Sequence, residues 1–135
     1  MKNSKILVPT DFTAAADCAL QHALKFARLF GSEIILLHVV SKHGEAEGAK
    51  AKIDAAISKA RQDDNISMTA MVRVGNIFDD IGDAAQTAGA KLIIMGTHGV
   101  KGIQNITGSY ALKVITNSKV PFIIVQKKAL RDGFN

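Results

Sequence analysis

Leu92-Ile93-Ile94-Met95-Gly96-Thr97-His98-Gly99-Val100-Lys101-Gly102 is the stretch whose reading decides the fold. Its apolar half runs on without polar alternation, which is how a strand reads when helices cover both faces of its sheet. Its second half places glycines directly after that strand. Without a Cβ, such residues let backbone N–H groups turn toward an anion at close range.

Four further apolar runs share the strand length: Ile6-Leu7-Val8, Ile34 to Val39, Met68 to Val74, and Phe122-Ile123-Ile124-Val125. The third is interrupted by Thr69 and Arg73, so it is expected at a sheet edge. Helical stripes lie between the runs. Ala16, Ala19, Leu20, Ala23, Leu24, Ala27 and Phe30 recur at three- and four-residue steps from about Thr13, and Gly31 stops them. Ala49, Ile53, Ala56, Ile57 and Ala60 form a shallow second stripe ending near Asp63. Ile77, Phe78, Ile81, Ala85 and Ala88 form a third, closed by Gly89. A fourth begins near Thr107 or Gly108, with Leu112 and Ile115 inward. Ser41 to Gly48, holding two glycines and two glutamates, is the most flexible-looking connection.

Strict alternation of strand and helix predicts an α/β fold. It is an open, Rossmann-like parallel sheet of five strands with right-handed crossovers and helices on both faces. The domain is expected over residues 1–127, with a polar basic tail at 128–135. Lys2 to Lys5 lead into the first strand rather than into an apolar export segment, and no run approaches the length of a membrane span. A cytoplasmic protein with no membrane partner is the expectation.

In such sheets ligands bind beyond the carboxyl ends of the strands, where the strand order reverses. After the first strand come Pro9-Thr10-Asp11-Phe12-Thr13, without a glycine, so the dinucleotide fingerprint is missing where it would have to stand. The phosphate loop of NTPases is missing too. The loop after the fourth strand is the best phosphate cradle: Gly96, Gly99 and Gly102 precede Gly108-Ser109, which open a helix with free N–H groups, a favourable dipole and a hydroxyl. Lys101 adds charge. If the strand order is 3-2-1-4-5, Asp11 faces this loop across the switch point. Its carboxylate then either accepts hydrogen bonds from ribose hydroxyls, or Asp11 or Thr13 caps the first helix; the two are not exclusive.

These segments together resemble the universal stress protein family over essentially the whole chain. The matching pieces are Ile6 to Phe12, Leu37-His38-Val39, Met95 to Gly99, Gly108-Ser109, and Val120 to Val125. The resemblance implies the 3-2-1-4-5 order and a homodimer paired through the last strand, Phe122–Val125. It also implies an adenine nucleotide (ATP, ADP or AMP, with Mg²⁺ only beside a triphosphate). By that resemblance Gly96, Gly99, Gly108 and Ser109 hold phosphates and Asp11 meets the ribose, while Pro9, Thr10, Val39 and Met95 border the adenine. His98 lies within the loop, and Tyr110 follows Ser109 where a small residue is expected. The chain departs from the family's ATP pattern in having eight residues, Val100 to Thr107, between Gly99 and Gly108 instead of nine. One residue of helix is about 100° of rotation and 1.5 Å of rise, enough to re-aim an N–H group.

Other residues carry less. Cys18 sits among alanines and is expected to be a buried structural thiol. His22, His38, His43 and His98 show no metal-ligand spacing. His38 and His98 stand near the expected cleft, either touching a ligand or satisfied within their loops. Asp79, Asp80 and Asp83 suit the start of the third helix rather than a metal site. The net charge of +5 is spread along the chain, and 5% aromatic content gives no base-stacking series, so nucleic acid is not an expected partner. No catalytic residues assemble, and without a general base or arginine finger any ATP hydrolysis would be slow. Two readings remain: a nucleotide-binding stress or signalling module, and a dimeric interaction module of the same fold with an empty cleft. An adenylate-forming enzyme of related fold is a third, disfavoured by Pro9 to Thr13.

Overall fold

Ile6, Leu7 and Val8 are each fully buried, although adjacent strand residues point to opposite faces. Both faces of the first strand are therefore covered. The computed structural model describes residues 3–61, 65–97 and 108–126, with side chains in the last segment from 112. Its elements are β1 (Lys5–Pro9), α1 (Ala14–Phe30), β2 (Glu33–Val40), a short 3₁₀ turn (His43–Glu45), α2 (Ala46–Arg61), β3 (Met68–Val74), α3 (Ile77–Ala88), β4 (Ala90–Thr97), α4 (Gly108–Thr116) and β5 (Phe122–Gln126). The sheet has five strands in the order β3-β2-β1-β4-β5, and every pairing is parallel. The expected fold class and strand order are the ones observed, and β3 lies at an edge.

The period of two sorts the strand residues into two cores. Ile6, Val8, Ile34, Leu36 and Ile94 pack with Ala19, Leu20, Ala23 and Leu24 of α1 and Ile53 and Ile57 of α2. Leu7, Ile35, Leu37, Ile93 and Met95 pack on the other face with Ile81, Ala84 and Ala85 of α3 and Val114 of α4. Each fully buried Ile or Leu contributes about 1.5–3 kcal/mol relative to exposure.

The helix boundaries follow from local chemistry. Thr13 caps α1 by accepting the Ala16 N–H, and Gly31 closes it at φ +67°, a conformation glycine adopts without a Cβ penalty. Asn76 caps α3 through the Asp79 N–H, and Gly89 closes it. Among the described residues no helix is long and apolar enough to cross a membrane.

Five expectations need correction. Ser41 to Gly48 is ordered locally rather than a loose connection. The Glu45 carboxylate accepts the Ser41 and Lys42 N–H groups at 3.2 and 3.1 Å, tightening a 3₁₀ turn that runs into α2. Gly96 and Thr97 belong to β4, paired with Val125 and Gln126, rather than to the loop beyond it. On α4 the inward residue is Val114, fully buried, while Leu112 is 61% exposed. Two residues apart on a helix is about 200° of rotation, so the two side chains cannot share a face. Phe30, in the last turn of α1, overhangs the core and pairs instead with the Phe26 ring at 5.7 Å. Cys18 is half-buried rather than buried.

Candidate functional site

The strand order reverses at β1, which has β2 on one side and β4 on the other, so the carboxyl ends of β1 and β4 lie side by side. Thr10 continues the β ladder through its N–H to the Leu37 carbonyl at 2.7 Å, and its hydroxyl then accepts the Phe12 N–H at 3.0 Å. Asp11 Oδ1 accepts the Thr13 N–H at 3.2 Å and the Thr13 hydroxyl proton. Thr13 Oγ1 in turn accepts the Ala16 N–H at 3.3 Å. Asp11 thus orients the residue that caps α1 rather than capping the helix itself. Among the described residues no hydrogen bond engages its second oxygen, Oδ2. Between Asp11 and Thr13, Phe12 has a positive φ of +66°, uncommon for a bulky residue.

This loop borders a cavity of about 290 Å³ lined by Pro9, Thr10, Asp11, Ala16, Leu37, His38, Val39, Ile77, Ile81, Met95 and Gly96. That volume is near the lower end of small-molecule sites, about 300–1,000 Å³, which pair apolar walls with a few placed polar groups. The walls here are Pro9, Leu37, Val39, Ile77, Ile81 and Met95; the polar groups are Thr10, Asp11 and His38. An apolar slot with a carboxylate among its lining groups suits a heteroaromatic group joined to a hydroxylated one.

Of the residues expected at the site, the structure brings Pro9, Thr10, Asp11, Val39, Met95 and Gly96 to this cavity. Gly108, Ser109 and Tyr110 form the first turn of α4. His98 and Gly99 lie outside the described residues. Gly96 has a packing reason of its own, since a Cβ there would lie 2.2 Å from the Ala15 carbonyl oxygen. Sequence reasoning missed Ala16, Leu37, Ile77 and Ile81. In the sequence Ile77 and Ile81 read only as core stripe; their spacing of one helical turn, directly after the Asn76 cap, is the available signal for a wall reaching the strand ends. Among the described residues no group of three or more His, Cys, Asp or Glu is placed to hold a metal ion.

Comparison with known proteins follows this geometry. Residues 2–126 match the Universal stress protein family. Universal stress protein MJ0577 of Methanocaldococcus jannaschii is 30% identical over 155 aligned positions, covering 92% of this chain and 95% of that one. A solved structure of MJ0577 superposes with a TM-score of 0.77 at 32% identity, over 95% of this chain and 99% of the other. A universal stress protein from Archaeoglobus fulgidus, solved in complex with dAMP, gives a TM-score of 0.73 at 25% identity, over 93% and 99% of the two chains.

Proposed function

Because the chain belongs to the universal stress protein family, we propose that it is an adenine-nucleotide-binding module acting in stress response or signalling as a homodimer. The observation that carries this reading is the cavity at the switch point, which Asp11 lines together with Pro9, Val39 and Met95. In this reading the base occupies the slot, Asp11 accepts ribose hydroxyls, and the phosphates extend toward the first turn of α4 at Gly108 and Ser109. N–H groups at a helix start favour negative charge. The relative of known structure that holds dAMP supports the same ligand class. Hydrolysis is slow or absent. A cytoplasmic location follows from the ligand, which is an intracellular metabolite pool. The homodimer pairs through Phe122–Val125, a strand at the sheet edge.

Calorimetric titration of ATP, ADP and AMP into nucleotide-free protein tests the reading. Saturable heat with at least one is expected; none up to millimolar concentration rejects it. Gly108→Val places a branched side chain at the phosphate end and should weaken binding at least tenfold, whereas unchanged affinity would move the phosphates elsewhere. A second reading, an interaction module with an empty cleft, is favoured by the eight-residue spacing between Gly99 and Gly108. It predicts the dimer without the heat.

A further inference from the structure

The Thr10–Phe12 loop borders two cavities: the one of about 290 Å³ already described, and a second of about 320 Å³ lined by Asp11, Phe12, His38, Val40, Glu45, Gly48, Ala49 and Lys52. Among the described residues, only Asp11 and His38 line both. Phe12 packs partly against the core on the α1 and α2 face, while the turn at Thr10 and Asp11 is held by discrete hydrogen bonds. His38 supplies two of the contacts available. Its Nδ1 lies 2.6 Å from the Thr10 carbonyl oxygen, and because a carbonyl only accepts, Nδ1 carries the proton and donates. Its ring lies 4.6 Å from the Phe12 ring, tilted by 45°, within the range of favourable aromatic pairs. Phe12 is the residue held at φ +66°, so the ring pair secures the loop at the point where its backbone is least relaxed.

We propose that His38 is a positioning residue: through the Thr10 carbonyl and the Phe12 ring it holds the loop so that Asp11 stays at the cavity. It does so from a half-buried position two residues before the end of β2. The strand ladder there is backbone to backbone, with His38 opposite Val72, and survives loss of the ring. The consequence for the loop is independent of any ligand; the consequence for affinity rests on the nucleotide reading above.

The test uses His38→Leu and His38→Asn in the full chain. The Asn side-chain nitrogen stands at the same bond position as Nδ1 and restores the donor, though not the ring. The Phe12 and Thr13 N–H groups are bonded within the loop, so their hydrogen exchange reports its order. Exchange should quicken about tenfold in His38→Leu, the scale of one lost hydrogen bond. His38→Asn should recover most of that protection, with urea midpoints showing that neither variant unfolds globally. Unchanged exchange in His38→Leu overturns the proposal. The ligand arm compares ADP with 2′,3′-dideoxy-ADP, which lacks the hydroxyls Asp11 would meet. Because His38 also lines the cavity, the discriminating quantity is the difference: His38→Leu should weaken ADP about tenfold more than it weakens the dideoxy nucleotide. Equal weakening of both overturns action through Asp11. If the native protein binds neither, the nucleotide reading fails, and the exchange measurement still decides the loop.

Discussion

A β-carbon on Gly96 would lie 2.2 Å from the carbonyl oxygen of Ala15, so β4 and the first turn of α1 touch backbone to backbone at the switch point. That contact places the start of α1 directly over the end of β4 and draws Ala16 to the cavity wall. Backbone cannot move aside as a side-chain tip can. Gly96→Ala should therefore destabilise the domain by roughly 3 kcal/mol through overpacking. Gly48 is the opposite case: it is helical, and a Cβ there meets nothing within 4 Å. Gly48→Ala should stabilise by about 0.5–1 kcal/mol. Urea unfolding of the two variants checks the pair of signs.

Arg73 donates to both Asp83, at 2.7 Å, and Asp80, at 3.3 Å. The bond to Asp83 raises the guanidinium above its ordinary range; burial opposes this and Asp80 reinforces it. For stability the weights reverse. Asp83 is 64% exposed and solvent-screened, whereas Asp80 is 20% exposed and also accepts the Asn76 N–H at 2.9 Å. Asp80→Asn should cost about 1–2 kcal/mol and Asp83→Asn less than about 0.5. Equal losses in chemical denaturation would contradict this. A raised arginine contributes fully below its ordinary pKa and loses that contribution only above it. The Arg73 contribution should therefore stay flat from about pH 6 to 10, as the Arg73→Met difference measured across that range would show.

Thr13 both caps α1 and takes the Asp11 carboxylate, so it couples helix stability to the site. Thr13→Ala should cost about 1 kcal/mol, the usual value of an N-cap, and weaken nucleotide binding as well. Thr13→Ser keeps the hydroxyl and should restore both. Thermal unfolding and calorimetry on the same preparations read the two effects.

Ile124 is 36% exposed on β5, an edge strand of the sheet. A charged residue at such a position discourages strand pairing between chains. If the proposed homodimer pairs through β5, Ile124→Asp should shift the sedimentation mass from dimer toward monomer while leaving the unfolding of the isolated chain within about 0.5 kcal/mol, as is usual for surface changes. An unshifted mass would remove β5 from the interface.

Much of this was legible in the sequence because it depends on local chemistry. Continuous apolar runs marked buried parallel strands, Thr69 and Arg73 marked an edge, and Gly31 and Gly89 marked helix ends. The errors fall where tertiary contacts override local pattern. Leu112 has the hydrophobicity of a core residue, but the rotation of α4 against α3 gives the interior to Val114. Gly96 reads as a loop glycine, yet β5 extends the ladder through it. Ser41 to Gly48 has a loose composition, yet Glu45 folds back on two backbone donors.

The sequence alone determined the α/β class, the number and order of elements, and the two strand ends between which a ligand would sit. Period, caps and glycines are set by neighbours a few residues away. Only the tertiary structure decided that Ile77 and Ile81 wall the cavity, that Ala15 requires the glycine at 96, and that His38 reaches back to the Thr10 carbonyl. These are contacts between residues 28 to 81 positions apart. Their distances follow from how helices seat on a twisted sheet, which no local pattern encodes.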